Sequence, residues 1–128
     1  MSKLLFVFAG GGIGTLCRYG LSLTADKIFK SDFPLGTLIV NLIGSFLIGF
    51  FWGIMQTKSI NSNEKAFLFI GFLGGFTTFS TFMLENLTFI QNKANLHVIG
   101  NILGCNILGI LLVLLGFYLS HTLIMQRV

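Results

Sequence analysis

Four long apolar segments, separated by short polar stretches, run through the chain. They cover residues 4–24, 33–57, 66–90 and 96–124. Each meets or exceeds the roughly 20 residues that a helix needs to cross a bilayer. The pattern therefore predicts an all-α integral membrane protein in which residues 1–128 form one transmembrane domain of four helices. A cleavable signal peptide is a competing interpretation of the first segment, but that segment has no A-x-A cleavage site and we expect it to be retained.

The third segment contains an unusual stretch, Gly71–Phe82, in which three clustered glycines precede a run of hydroxyl and phenylalanine side chains. This composition is a poor basis for one uniform helix. Unpaired backbone groups cost several kcal/mol each in lipid, so a broken helix persists only where protein or a cavity satisfies them. The stretch predicts a third helix that is broken mid-membrane, and the hydroxyls beside the break predict a functional site.

The composition agrees with a membrane setting, since 54% of the residues are hydrophobic and 9% are charged. The net charge of +4 comes from basic residues scattered singly between the spans, as interfacial anchors are. Nucleic acid is therefore not an expected partner, whereas the lipid bilayer is. Glycines four residues apart recur in every span and predict close helix packing within a subunit, between subunits, or both. The pairs are Gly10 with Gly14, Gly49 with Gly53, Gly71 with Gly75, and Gly100 with Gly104.

The basic loop residues are almost evenly divided between the two sides of the membrane. With four spans, one side holds Lys3, Lys58, Lys65 and Arg127, and the other holds Lys27, Lys30 and Lys93. So small a difference sets no preferred orientation. Two oppositely inserted copies can pair with the inverted symmetry that is common in transport proteins. Because one small bundle also has little room for a pathway and a shell around it, we expect an antiparallel, dual-topology homodimer.

Arg18 and Asn41 are polar side chains inside the first two spans. Thr15 and Ser22 share a helical face with Arg18. This polar face indicates either a positive vestibule that attracts an anion or an arginine that snorkels to the interface. Asn41 can both donate and accept hydrogen bonds, so it belongs either to a binding site or to a link between helices.

The end of the third span combines hydroxyls with aromatic rings. Phe79 and Phe82 are three positions apart, and the accompanying hydroxyl residues are Thr77, Thr78, Ser80 and Thr81. The edges of phenyl rings carry partial positive charge. Ring edges and hydroxyl donors would stabilise an anion without trapping it, as conduction requires; ordinary packing is the alternative. Carbonyls freed by the break can also hold a cation, and glycine-mediated packing is the alternative there.

Further polar residues follow along the third and fourth spans. Glu85 lies one turn beyond the two rings and is an interfacial residue, a partner of Arg18 or a carboxylate at a pore mouth. His97, Asn101 and Cys105 recur every four residues, so this polar stripe either lines a water path or contacts a neighbouring helix. His97 alternatively lies at the interface. No catalytic constellation or Cys/His cluster accompanies these residues, so we expect neither an enzyme nor a disulfide framework.

Three motifs resemble those of the Fluc/CrcB family of fluoride channels. They are Gly71-Phe-Leu-Gly-Gly-Phe-Thr-Thr-Phe-Ser-Thr-Phe82, Gly36-Thr-Leu-Ile-Val-Asn-Leu-Ile-Gly44 and Gly10-Gly-Gly-Ile-Gly-Thr-Leu-Cys-Arg18. The resemblance covers the whole chain in order, and the third-span motif is highly specific. It implies an antiparallel homodimer in the cell membrane of a microbe, with two pathways that export fluoride passively and selectively.

The resemblance also implies roles for the residues of the pathway. Phe79 and Phe82 match rings whose edges line it, and Asn41 matches its asparagine. Ser80 and Thr81 match hydroxyls of a polar track.

A structural Na⁺ that is not transported is a further implication of the resemblance. Gly74 and Thr77 match positions whose backbone carbonyls, from both subunits, hold this ion. Arg18 and Glu85 match charged positions near the vestibules. We therefore expect the backbone to turn from Gly74 to Thr77, ahead of the segment that presents ring edges and hydroxyls to an anion.

The fourth span departs from the family pattern, because some members carry tyrosine where His97 falls and serine where Cys105 falls. The roles of His97, Asn101 and Cys105 therefore stay open. A small dual-topology multidrug/proton antiporter is the main rival interpretation, but it needs an embedded carboxylate and only Glu85 could serve. A packing subunit without transport is a second rival, and it leaves the break in the third span without a purpose.

Overall fold

The computed structural model describes residues 2–57 and 59–125, which contain helices and short turns but no β-strand. Helix α1 is Ser2–Phe29 and α2 is Leu35–Thr57. The third span consists of α3 (Ser62–Lys65), a first π-helical segment (Ala66–Leu73), α4 (Gly74–Phe76) and α5 (Phe79–Gln91). The fourth consists of α6 (Asn95–Leu103), a second π-helical segment (Gly104–Leu108) and α7 (Gly109–Met125). Lys58 and Arg127, which entered the charge comparison, lie outside the described residues.

Four helical stretches are long and apolar enough to cross a membrane. They are Ser2–Phe29, Leu35–Gln56, Ser62–Gln91 and Asn95–Leu123. The predicted all-helical fold with four spans is thus confirmed. The first helix continues through the polar residues that the sequence pattern assigned to a loop. It ends where Lys30 adopts a φ of 41°, because a left-handed residue stops helix propagation.

Local hydrogen bonds close the turns between the spans. The Asn61 side chain accepts from the backbone N–H of Asn63 at 2.7 Å, and Glu64 Oε2 accepts from the N–H of Asn61 at 3.3 Å. This reciprocal capping box starts the third span. At the other end of that span Lys93 has a φ of 56°, which reverses the chain so that α5 and α6 pack side by side.

Close backbone contacts hold the bundle together. α1 packs against the first π-helical segment and α4, and α2 packs against α7. A Cβ on Gly71 would lie 2.7 Å from Val7 O, and one on Gly75 would lie 2.6 Å from Gly11 O. The glycine pairs of the first three spans therefore pack within the subunit, as predicted. A Cβ on either glycine of the fourth-span pair would meet nothing within 4 Å.

The third span is interrupted, but later than expected. Gly74 and Gly75 are helical members of α4, and the chain becomes extended only at Thr77 and Thr78. The expectation that the turn begins at Gly74 is therefore wrong. The physical reason is packing: Gly75 is used for its close approach to α1, which requires a regular helix there rather than a turn.

Candidate functional site

Two threonines in extended conformation form the interruption of the third span. Thr77 has φ −84° and ψ 156°, and Thr78 has φ −143° and ψ 119°. The Thr77 hydroxyl donates to Leu73 O at 3.0 Å and closes the preceding helix. The Thr78 hydroxyl accepts from Thr81 N at 3.2 Å and caps α5. Side chains therefore satisfy the helix ends on both sides of the interruption.

Asn41 of α2 satisfies the backbone of Thr78. Its Nδ2 donates to Thr78 O at 3.0 Å, and its Oδ1 accepts from Thr78 N at 2.8 Å. The two bonds connect the second and third spans, so the link between helices that the sequence left open is present. Because both polar groups of one residue are paired, the extended backbone leaves neither of them unsatisfied in an apolar environment.

The same arrangement changes the surroundings of two backbone carbonyls. In a regular helix Thr78 N–H would donate to Gly74 O and Thr81 N–H to Thr77 O. Here Thr78 N–H donates to Asn41 Oδ1 at 2.8 Å, and Thr81 N–H donates to the Thr78 hydroxyl at 3.2 Å. The carbonyls of Gly74 and Thr77 therefore lose their regular helical donors, and each can accept from another partner.

A groove of about 370 Å³ opens beside this junction. Its lining residues include Asn41, Gly74, Thr77, Thr78, Phe79, Phe82, Cys105 and Asn106. The centroids of the Phe79 and Phe82 rings are 6.1 Å apart, with the ring planes tilted by 44°. Phe79 is 73% exposed whereas Phe82 is 4% exposed. The fold thus brings the predicted rings, the asparagine and the two carbonyl positions to one surface.

A second cavity, of about 300 Å³, also has a residue of the junction in its lining. Its polar lining residues are Thr15, Arg18, Tyr19, Ser22, Thr37, Thr78 and Thr81. Thr78 thus borders both spaces, and its hydroxyl lies 3.0 Å from Thr81 Oγ1 and 3.4 Å from Ser80 Oγ. Arg18 Nε is buried and has no hydrogen-bond partner among the residues that the structure describes. The cavity offers hydroxyls and one cation, a combination suited to an anion.

Glu85 is held by α2 rather than by α1. Thr37 Oγ1 donates to Glu85 Oε1, and Glu85 Oε2 is buried without a hydrogen-bond partner in residues 2–57 and 59–125. Glu85 also lines a cavity of about 320 Å³ together with Asp26 and Asp32. Among the described residues Thr37 rather than Arg18 is the partner of Glu85, and the interfacial and pore-mouth alternatives both stay predictions.

The fourth-span stripe divides into three different environments. The His97 ring lies beside Phe89, with centroids 5.3 Å apart and ring planes tilted by 36°. Asn101 is buried, and its Nδ2 donates to Asn86 Oδ1 at 3.4 Å, which links α6 to α5. Cys105 lines the groove, as Asn41 does. The fold therefore does not gather the stripe at one site, and only Cys105 joins Asn41.

Sequence reasoning missed four polar residues of these surfaces. They are Tyr19, Thr37, Ser45 and Asn106. Thr37 and Ser45 lie four residues before and after Asn41, so their helical spacing was a usable signal. Asn106 directly follows Cys105 and does not share the four-residue spacing of the stripe, so that spacing could not identify it.

The class of protein defined by this fold is a multi-pass membrane protein with an interrupted third span. A family model described as CrcB-like protein, Camphor Resistance (CrcB), matches residues 5–117, and the chain belongs to this family. It is 41% identical to the fluoride-specific ion channel FluC of Parabacteroides distasonis over 97% of both chains. It is 40% identical to that of Aquifex aeolicus over 96% of this chain and 100% of the relative. A Hydrogenobaculum relative of the same name is 46% identical over 93% and 98%.

Proposed function

We propose that this protein is a channel through which fluoride leaves the cytoplasm down its gradient. Relatives that align over nearly the whole chain carry the name fluoride-specific ion channel. The structural observation that carries the proposal is the position of Thr78, which borders a groove with aromatic rings and a cavity with hydroxyls. An ion that passes this residue has suitable donors before and after it.

The pathway runs from the groove past Thr78 to the cavity of Arg18. The groove, as far as the structure describes its lining, contains no formally charged side chain. Fluoride is stabilised there by the ring edges of Phe79 and Phe82 and by the nearby amide of Asn41. The hydroxyls of Ser80 and Thr81 then replace part of its hydration shell. Stabilisation without a fixed countercharge lets the ion leave again, while Arg18 raises the local anion concentration.

A structural Na⁺ is proposed at the carbonyls of Gly74 and Thr77. Both residues line the groove, and the regular helical donors of both carbonyls are directed elsewhere. Backbone carbonyls at an unwound helix are typical sodium ligands in transport proteins. Two carbonyls are too few for such an ion, so a second copy of the chain would supply the rest. The ion would hold the two copies together and would not be transported.

The same surface supports an antiparallel homodimer. Phe79 is 73% exposed, and Ser80 and Asn106 are exposed on spans that cross a membrane. Exposed polar groups are unfavourable in hydrocarbon. A second copy would cover this surface, complete the cation site and leave each groove as one of two pathways. The near balance of basic residues supports opposite insertion of the two copies.

The multidrug/proton antiporter is the less favoured candidate. Such a pump needs a carboxylate that faces its substrate and exchanges protons. Glu85 accepts a hydrogen bond from Thr37 and lies outside the lining of the groove. Neither feature suits a substrate-facing carboxylate, whereas both are compatible with a passive anion pathway.

The decisive experiment is fluoride release from liposomes. Purified protein is reconstituted in vesicles loaded with potassium fluoride, an ionophore supplies the path for the counter-ion, and an electrode records fluoride outside. We expect fluoride to be released down its gradient with little chloride leak. Vesicles without protein are the control. Retention of fluoride by the protein-containing vesicles would refute the channel.

A further inference from the structure

Asn41 has little hydrogen-bonding capacity left for an ion. Its Oδ1 accepts from Thr78 N at 2.8 Å, and one of its two amide hydrogens is used in the 3.0 Å bond to Thr78 O. A carboxamide has two N–H donors, so one remains. A small anion that sheds water needs several donors, and Asn41 alone supplies at most one.

Asn106 is a second carboxamide on the same groove. It belongs to the second π-helical segment, directly after Cys105, and its side chain is exposed. Its Nδ2 donates to Ile102 O at 2.7 Å, one turn back on the same span. This bond ties the side chain to its own helix and leaves the second N–H and Oδ1 without a partner in the part of the chain that the structure describes.

Two roles unrelated to ion binding, anchoring at the membrane interface and linking two helices, do not fit the surroundings of Asn106. An exposed carboxamide is unfavourable in hydrocarbon, and its side chain is too short to reach the interface as lysine or arginine does. Within the subunit it does not link two helices, since its bond to Ile102 is intrahelical. It does border the groove that contains Asn41 and both phenylalanine rings. Irregular π-helical turns also occur frequently at functional sites.

We infer that Asn106 contacts the permeating anion and donates its free N–H to it from the fourth-span wall of the groove. The inference rests on the proposed fluoride channel and adds a residue to its pathway. The ion would then contact carboxamides from two different spans. Asn41 is held by its hydrogen bonds to the backbone of Thr78, and Asn106 has an N–H that is free to donate. The uncharged donors bind without a fixed countercharge, which keeps transit fast.

The test compares three substitutions of Asn106 in the full chain reconstituted in liposomes. Asn106→Leu keeps the approximate volume without a donor, Asn106→Ser keeps a hydroxyl donor, and Asn106→Asp replaces the donor by an anion. We expect Asn106→Leu to slow fluoride release about tenfold, since a hydrogen bond to a charged ion is lost at the barrier. Asn106→Asp should slow release further because a carboxylate repels fluoride, and Asn106→Ser should stay within about threefold of the unsubstituted protein.

A double substitution, Asn106→Leu with Ile107→Asn, is the matched control. It keeps one carboxamide and one branched apolar side chain at these two positions but moves the carboxamide to position 107, which is not among the lining residues of the groove, so it should not restore release. Chloride leak and the dimer fraction, measured by cross-linking, are recorded for every variant. A role in assembly alone would lower the dimer fraction and leave the release per dimer unchanged, which would overturn the inference.

The outcomes separate this inference from the proposed function. If the unsubstituted protein releases no fluoride, the channel itself is refuted. If it releases fluoride and Asn106→Leu releases it equally fast, only the role of Asn106 is refuted. Should Asn106→Leu fail to assemble, the Ser and Asp variants decide: release by Ser together with a block by Asp supports the contact, and equal release by both contradicts it.

Discussion

Asn41 holds the backbone of Thr78 from both sides, with Nδ2 3.0 Å from Thr78 O and Oδ1 2.8 Å from Thr78 N. This pair of bonds takes the place of the helical hydrogen bonds that the extended backbone cannot make. It also diverts the donor that would otherwise satisfy the carbonyl of Gly74. One side chain of the second span thus stabilises the interruption and frees a carbonyl of the proposed cation site.

Replacement of Asn41 by leucine should destabilise the fold as well as the pathway. The backbone N–H and C=O of Thr78 would both lose their partner, and each unsatisfied buried group costs about 1–3 kcal/mol. We expect a lower unfolding midpoint in detergent and a loss of fluoride release. Asn63→Leu, in a turn at the start of the third span, is the control and should change neither. An unchanged midpoint for Asn41→Leu would mean that the two bonds do not support the interruption.

Phe79→Ile should separate conduction from folding. The Phe79 side chain is 73% exposed in the subunit, so the substitution removes little packing within it, whereas the buried Phe82 packs inside. We expect fluoride release to slow strongly while the free energy of unfolding changes by less than about 0.5 kcal/mol. Phe8→Ile, on the outer face of α1 with 81% exposure, should leave release intact. Equal release by both variants would remove the Phe79 ring from the pathway.

The Phe82→Ile variant should slow release while dimers still assemble. Its ring is 4% exposed, so a loss of about 1 kcal/mol or more in stability accompanies the change. Release is therefore normalised to the assembled dimer measured by cross-linking. Unchanged release per dimer would exclude this ring from the path.

Two glycine substitutions should have opposite outcomes. A Cβ on Gly75 would lie 2.6 Å from Gly11 O, whereas one on Gly100 would meet nothing within 4 Å. Gly75→Ala should therefore push α4 away from α1 and destabilise the protein by about 1–3 kcal/mol. Gly100→Ala should leave the fold of the subunit unaffected. Thermal unfolding in detergent measures both, and equal midpoints would contradict the close packing of the third span against α1.

Sodium should stabilise the assembled protein selectively. If the carbonyls of Gly74 and Thr77 bind Na⁺, a hundredfold excess over the dissociation constant adds about 2.7 kcal/mol to the folded dimer. We expect the unfolding midpoint to rise with sodium and to respond much less to potassium or to a large organic cation at the same ionic strength. Identical midpoints in all three salts would argue against the site.

Opposite insertion of the two copies should be detectable by labelling the termini from both sides of the membrane. Tags on the termini should each be accessible from outside and from inside, because the basic residues set no single orientation. Substituting Lys27, Lys30 and Lys93 by glutamine should bias insertion toward one orientation and reduce fluoride release. Labelling of the unsubstituted protein from one side only would exclude dual topology.

Local sequence features predicted the spans and several members of the site. The phenylalanine pair and the hydroxyls of the third span were visible as a motif, and Thr37 and Ser45 could have been found by their helical spacing from Asn41. The start of the interruption was misplaced because glycine is compatible with both a turn and close helix contact. The fourth-span stripe was predicted from its four-residue spacing alone. Its members lie in different environments, because Asn101 is hydrogen-bonded to α5 and His97 lies beside an aromatic ring.

The sequence by itself determined that the chain is helical and crosses a membrane four times, since hydrocarbon admits only long apolar segments whose backbone groups are paired internally. It also placed the hydroxyls and rings of the third span beside one another. Only the tertiary structure decided which residues extend the backbone and which partners satisfy it. Those partners come from other spans, and contacts such as that of Asn41 with Thr78 depend on helix packing rather than on any local pattern.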